Sequence, residues 1–279
     1  MDKKNILFLT DFSENASHAF DVLLKFSSGI DVEIDVLHVV KPDIEAADTP
    51  LMSGRMTIRK KEVAEEVVNT FVETGRQMVS QAKMVINTIV DIGPVVSTVN
   101  RQTEKKNYSL IVLGTRGENK TKLEKWLGTT STKIINNAGC PVLLIPSEYT
   151  FETISQIVFA SSLKDSDPFL FWSVLQLLHP YQPIVRWLHF MEDEINEEER
   201  IDSFLEYFND KPGPTRISFH RIKGSEFTRQ VENFIEKYHA DMLVMVKRKG
   251  SFFEKIFYQS HTIRMANELD IPLLVLKES

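Results

Sequence analysis

Residues 109–146 constrain what this chain can fold into more than any other stretch. They read Ser-Leu-Ile-Val-Leu-Gly-Thr-Arg-Gly, a charged run, Trp-Leu-Gly-Thr-Thr-Ser-Thr, a helical pattern, and Cys-Pro-Val-Leu-Leu-Ile-Pro. Leu110–Leu113 is a short apolar run stopped by Gly114, which suits a parallel strand buried on both faces. Gly114 and Gly117 let the backbone turn tightly. Gly128 precedes four hydroxyl residues, Thr129–Thr132, just where Ile134, Ile135 and Ala138 begin a helical period. A helix start exposes unpaired N–H groups and a partial positive charge, so it can hold a phosphate. The same residues also suit a plain turn followed by Thr129 or Thr130 as an ordinary N-cap. Neither Gly-x-x-x-x-Gly-Lys-Ser/Thr nor a post-strand Gly-x-Gly-x-x-Gly occurs, so the two commonest phosphate loops are excluded.

Upstream, Ile6–Leu9 reads as a buried strand closed by Thr10-Asp11-Phe12-Ser13. Ser13 or Asn15 can cap a helix whose apolar positions include Ala16, Ala19, Phe20, Leu23, Leu24 and Phe26. Ile34–Val40 is a second strand, 42–53 a loop, and Met56–Ala82 a helix with Val63, Val67, Val68 and Phe71 at helical spacing. Val85–Ile92 is a third strand, followed by a helix near Val95–Glu104. Strands alternating with helices predict right-handed crossovers and a parallel sheet, with ligands at the carboxyl ends of the strands.

The second half repeats this order, with a helix near 260–269 before the last strand. Ile6 to Ile157 and His38 to His189 are both shifts of 151, Gly117 to Gly250 is 133, and Pro141 to Pro272 is 131. Constant shifts that change at loops are what tandem copies give. Two domains are expected, 1–148 and 153–279. At these shifts Asp11 meets Ser162, Gly114 meets Lys247 and Gly128 meets Gln259. The second copy is therefore expected to keep the fold and lose the pocket, since the permissive glycine backbone is gone.

The sequence is 279 residues long, 42% hydrophobic and 26% charged, which is ordinary globular composition and enough for two cores. A formal net charge of −6 argues against non-specific nucleic-acid binding. The single Cys140 cannot form an internal disulfide and reads as core filler. No secretory leader and no membrane-length apolar run is seen, so a cytoplasmic protein with no membrane partner is expected.

The set Thr10-Asp11, Leu37-His38-Val39, Gly114-x-x-Gly117, Gly128-Thr129 and Cys140-Pro141-Val142 resembles the universal stress protein family, and the doubled architecture resembles its tandem-domain members. The resemblance implies an α/β fold. It consists of two copies of a five-stranded parallel-sheet domain of the adenine-nucleotide alpha-hydrolase-like type, strand order 3-2-1-4-5, packed as a pseudo-dimer through their last strands. It also implies an adenine nucleotide (ATP, ADP or AMP, with Mg as its candidate metal) in the first domain only. Residue by residue, Thr10 and Asp11 would meet adenine or ribose, and Val39 would line the base. Leu113, Gly114, Arg116 and Gly117 would run beside ribose and phosphates, and Gly128, Thr129, Thr130 and Ser131 would bind phosphate. The sequence departs from the family in one respect: ten residues, 118–127, separate Gly117 from Gly128 where nine are usual.

His38 and His189 lack a second ligand at metal spacing and are read as structural. No Ser-His-Asp or Cys-His set falls on one strand edge, so no covalent catalysis is expected. The expected role is a nucleotide-dependent sensor read by an unknown protein partner. The alternatives are a nucleotide-free scaffold and a slow ATPase or self-phosphorylating protein using Thr129, Thr130 or Ser131; two chains could also associate as a homodimer.

Overall fold

The structure, a computed structural model, describes residues 3–42, 50–78, 84–115, 129–190, 197–208, 216–222, 227–248 and 270–278. The described chain divides into two compact units, one ending at Phe151 and the other beginning at Glu152.

In the first unit, the apolar run predicted near the start forms β1 (Lys4–Thr10). It lies between β2 (Val32–Val40) and β4 (Leu110–Gly114), all parallel. β3 (Met84–Ile92) flanks β2, and β5 (Val142–Ile145) flanks β4, which completes the order 3-2-1-4-5. Helix α1 (Glu14–Phe26) begins at Ser13, whose Oγ accepts the Ala16 N–H at 3.3 Å. Its expected apolar face, Ala16, Ala19, Phe20, Leu23, Leu24 and Phe26, is buried. α1 packs on β1 and β4, and α2 (Pro50–Met78) packs on β2 and β3. α2 starts before the expected Met56, within the stretch read as a loop. Pro50 is tolerated at a first helical position because it needs no hydrogen-bond donor there, and the added turns carry exposed Met52. α3 (Val95–Lys105) and α4 (Thr129–Asn137) complete the unit and pack together.

The second unit has β6 (Gln156–Ser161), β7 (Ile184–Phe190), β8 (Ile217–Ile222), β9 (Met242–Lys247) and β10 (Leu273–Lys277). Its order, β8-β7-β6-β9-β10, is again 3-2-1-4-5, with every pair parallel. Its described helices are α5 (Asp167–Leu177), α6 (Glu197–Glu206) and α7 (Phe227–Tyr238). The helix expected near 260–269 lies outside the described residues. The core here is aromatic: Trp187 stacks on Phe159 at 4.2 Å and meets Phe171 and Phe204 edge-on.

Strand register fixes how the copies correspond. Ile6 sits opposite Ile34 and Leu110, and Ile157 sits opposite Val185 and Met242. β1 and β2 therefore shift by 151, as expected, but β4 maps onto β9 at 132 rather than 133. The counterpart of Gly114 is thus Val246 rather than Lys247, and Lys247 answers to Thr115. In a strand, a one-residue slip sends every side chain to the opposite face, so the glycine pair Gly117 and Gly250 misled the alignment of the strand.

The turn after the first strand survives in both copies. The Phe12 N–H donates to Thr10 Oγ1 at 3.0 Å, and the Leu163 N–H to Ser161 Oγ at 3.3 Å. Phe12 and Leu163 both hold a positive φ, 61° and 51°, which costs a non-glycine residue free energy and needs surrounding structure to hold it.

At mid-sheet the copies solve one problem differently. In the first, buried Asp35 accepts from Lys106 Nζ (2.7 Å), Tyr108 Oη (2.6 Å) and Asn87 Nδ2 (2.8 Å). Neighbouring Glu33 pairs with Lys106 and Lys3, which hold its carboxyl down at about 2. Burial and the hydrogen bond to Asp35 push the Tyr108 hydroxyl far above its ordinary value. In the second, the positions of Asp35 and Lys106 carry Arg186 and Tyr238, and the guanidinium lies 4.7 Å from the ring centroid. A charge pair has become a cation over an aromatic face.

Candidate nucleotide-binding site

The carboxyl ends of β1, β2 and β4 open into a cavity of about 1110 Å³ in the first unit. Thr10, Asp11, Val39, Leu113, Gly114, Thr130 and Ser131, named from the sequence, all line it. Of the other candidates, Arg116, Gly117 and Gly128 lie outside the described residues, as does the run 118–127. Thr129 is the first residue of α4, and its side chain is outside them too.

Two helix starts face this cavity, and their chemistry differs. α1 is headed by acids: Asp11 Oδ1 accepts the Ser13 N–H at 3.1 Å and the Ser13 hydroxyl at 2.5 Å, and Glu14 occupies the first turn. Its positive end is already matched by carboxylates. α4 has no acidic residue in its first turn. It presents Thr130 and Ser131 instead, with Ser131 nearly buried at 6% exposure. An anion entering the cavity is drawn to α4, and a hydroxyl group is drawn to Asp11.

Gly114 has a second reason to be glycine. A Cβ added there would lie 2.7 Å from the Asn15 carbonyl oxygen and 3.2 Å from Ala19 Cβ. The bare strand end is therefore occupied largely by the first turn of α1, and it bounds the cavity through that contact. His38 Nδ1 lies 2.9 Å from the Thr10 carbonyl oxygen, and its ring stacks on Phe12 at 4.2 Å. It holds the β1 and β2 ends together and contributes to the wall.

Sequence reasoning missed the wall made by α2. Met56, Arg59, Lys60, Val63, Ala64 and Val67 all line the cavity. Val63 and Val67, read from the sequence only as apolar residues at helical spacing, remain 53% and 40% exposed and face this space. The core row of α2 is Ala64, Val68 and Val72. The available signal was an apolar stripe wider than one helix face needs, with two adjacent cations beside it.

The second unit differs at the same place. Arg248, just beyond β9, donates to Asp167 Oδ1 at 2.6 Å and Ser166 Oγ at 2.7 Å, and pairs with Glu278 at 2.8 Å. Asp167 is fully buried and also accepts from Ser161 Oγ and the Lys164 N–H. The hydroxyl of Ser166 and the Arg248 charge hold the Glu278 carboxyl below the usual range. The pocket beside the end of β6 in the second unit is smaller, about 390 Å³, and is lined by Leu163, Lys164 and Asp165 together with residues of α5 and α6.

Among the described residues, no group of three or more His, Cys, Asp and Glu converges to hold a metal. Burial pushes the Cys140 thiol up to about 11, so it is protonated near neutral pH. No helix among the described residues is long and apolar enough to cross a membrane.

The model of the universal stress protein family matches residues 3–146. A universal stress protein of Methanocaldococcus jannaschii is 30% identical over 147 residues, which are 51% of this chain and 81% of the relative. One of Synechocystis is 27% identical over 174 residues, 56% of this chain; the match spans 59% of that relative's length. Among solved structures, a universal stress protein of Archaeoglobus fulgidus superposes with a TM-score of 0.70 at 19% identity, covering 99% of this chain and 96% of its own. The chain belongs to the universal stress protein family.

Proposed function

We propose that the first unit binds an adenine nucleotide (ATP, ADP or AMP) and that the protein acts in a stress response as a cytoplasmic sensor whose occupancy a protein partner reads. The observation that carries this reading is the division of labour around the cavity. Val39 with Met56, Val63 and Val67 gives an apolar wall for a base, Asp11 an acceptor for ribose hydroxyls, and the start of α4 a place for phosphate. The cavity, about 1110 Å³, is ample for such a ligand. Magnesium would arrive on the phosphates and supply charge neutralisation there. The second unit, with Arg248 and Asp167 joined at its strand ends, is a structural copy that keeps the fold and binds no nucleotide.

An acid extract of the purified protein examined for adenine absorbance, and calorimetry with ATP, ADP and AMP, test this directly. One nucleotide per chain is expected, lost in Asp11→Ala. Absence of adenine in the extract together with no heat of binding would refute it. No step in this reading requires covalent chemistry, and radiolabel transfer from ATP to Thr129, Thr130 or Ser131 would show the enzymatic alternative instead.

A further inference from the structure

His38, near the end of β2, has one ring nitrogen engaged and the other open. Nδ1 lies 2.9 Å from the Thr10 carbonyl oxygen. A carbonyl oxygen only accepts, so Nδ1 carries the proton of the neutral ring and Nε2 is left as an acceptor. Nε2 has no hydrogen-bond partner among the described residues, and it is not closed off from solvent. The ring stacks on Phe12, which in turn meets Phe71 of α2 at 6.0 Å between centroids. The imidazole therefore lies on the α2 side of the sheet and borders the cavity there with Val63 and Val67. The duplicate supplies a contrast: His189, at the matching position of β7, is only 1% exposed and offers no edge to a ligand.

We propose that His38 is a specificity-determining residue of this site: its Nε2 accepts a hydrogen bond from the exocyclic 6-amino group of adenine. This rests on the adenine-nucleotide reading of the cavity and adds the side chain that reads the base. Strand order supports the placement. α4, where phosphate is drawn, follows β4; Asp11, the acceptor for ribose, follows β1; and His38 is near the end of β2. β1 lies between β4 and β2. The succession phosphate, ribose, base across β4, β1 and β2 is the order in which a nucleotide is built, and it brings the base to His38 and its neighbour Val39. Adenine presents a donor at position 6, where guanine presents a carbonyl acceptor. An imidazole held by Thr10 with its lone pair toward the base accepts from the amine, and would face a 6-carbonyl lone pair to lone pair.

Calorimetry of the whole chain at about pH 8, where imidazole is neutral, tests this with AMP and with purine riboside 5′-monophosphate, which lacks only the amino group. Wild type should bind AMP about fivefold more tightly. Two variants remove Nε2 in different ways. His38→Asn keeps an amide donor for the Thr10 carbonyl, and His38→Phe keeps a ring on Phe12, so at least one is expected to fold, which circular dichroism checks. In the folded variant the AMP advantage should fall below about twofold. A purely structural role for His38 would instead weaken both ligands alike and leave the ratio unchanged. An advantage that persists in a folded variant would overturn the proposal, as would equal binding of the two ligands by wild type, and either result leaves the nucleotide reading standing. No binding of either ligand would overturn both readings.

Discussion

The ends of β1 and β4 and the ends of β6 and β9 are one architectural position built twice. In the first unit it borders a cavity of about 1110 Å³; in the second, Arg248, Asp167, Ser166 and Glu278 satisfy one another there. The strand order and the Thr10 and Ser161 turns are retained in both. What changed is the charge at the strand ends: in one unit α4 begins with no acidic residue in its first turn, and in the other Arg248 is paired with the chain's own carboxylates. The difference teaches that the fold sets where a ligand could sit, while a few side chains decide whether it does.

The comparison breaks most visibly at Arg248. Arg248→Met leaves the fully buried Asp167 carboxylate without its ion pair, and should lower stability by about 3–5 kcal/mol in urea unfolding. Adding Asp167→Leu should return only part of that loss, because it removes the stranded charge but takes the acceptor from Ser161 Oγ and the Lys164 N–H. In the first unit, Gly114→Val forces a side chain against the Asn15 carbonyl and should cost about 1–3 kcal/mol and abolish nucleotide uptake in calorimetry. An unchanged midpoint would show that α1 can move aside freely. Ser13→Ala removes the cap on the Ala16 N–H and should cost about 1 kcal/mol. Lys164→Ala, at the matching position 151 residues on, should stay within about 0.5 kcal/mol, because α5 is not capped there.

The smallest effect is a pH dependence in the first unit. The folded-state carboxyl of Glu33 is held at about 2 by Lys106 and Lys3, against an ordinary value of 4.5. Its contribution is therefore present above 4.5 and lost as pH falls toward 2. Partial exposure keeps it near a few tenths of a kcal/mol. Hydrogen exchange should show the first unit loosening through this window more in wild type than in Glu33→Gln.

Much of this was legible in the sequence. Apolar runs such as Ile6–Leu9 and Leu110–Leu113 gave their strands because both faces are covered, and the face of α1 followed its helical period. The register of β9 was not legible, because the glycines used to align it lie beyond the strand, where an added residue goes unseen. The α2 wall escaped for a different reason. Val63 and Val67 obey the same period whether they meet a core or a cavity, and Arg59 and Lys60 resemble any solvated pair until the strand ends are seen beside them.

The seating of α1 on Gly114 constrains how such a chain can drift. A larger residue at that strand end is excluded while the helix begins where it does, and moving the helix alone would leave a void. In the duplicate both have changed: Val246 occupies the strand position, and α5 begins two residues later than α1 would at the same shift. The two alterations form a ratchet. Once both are in place, neither reverts singly without loss, so a copy that has closed its strand end in this way stays closed over evolutionary time.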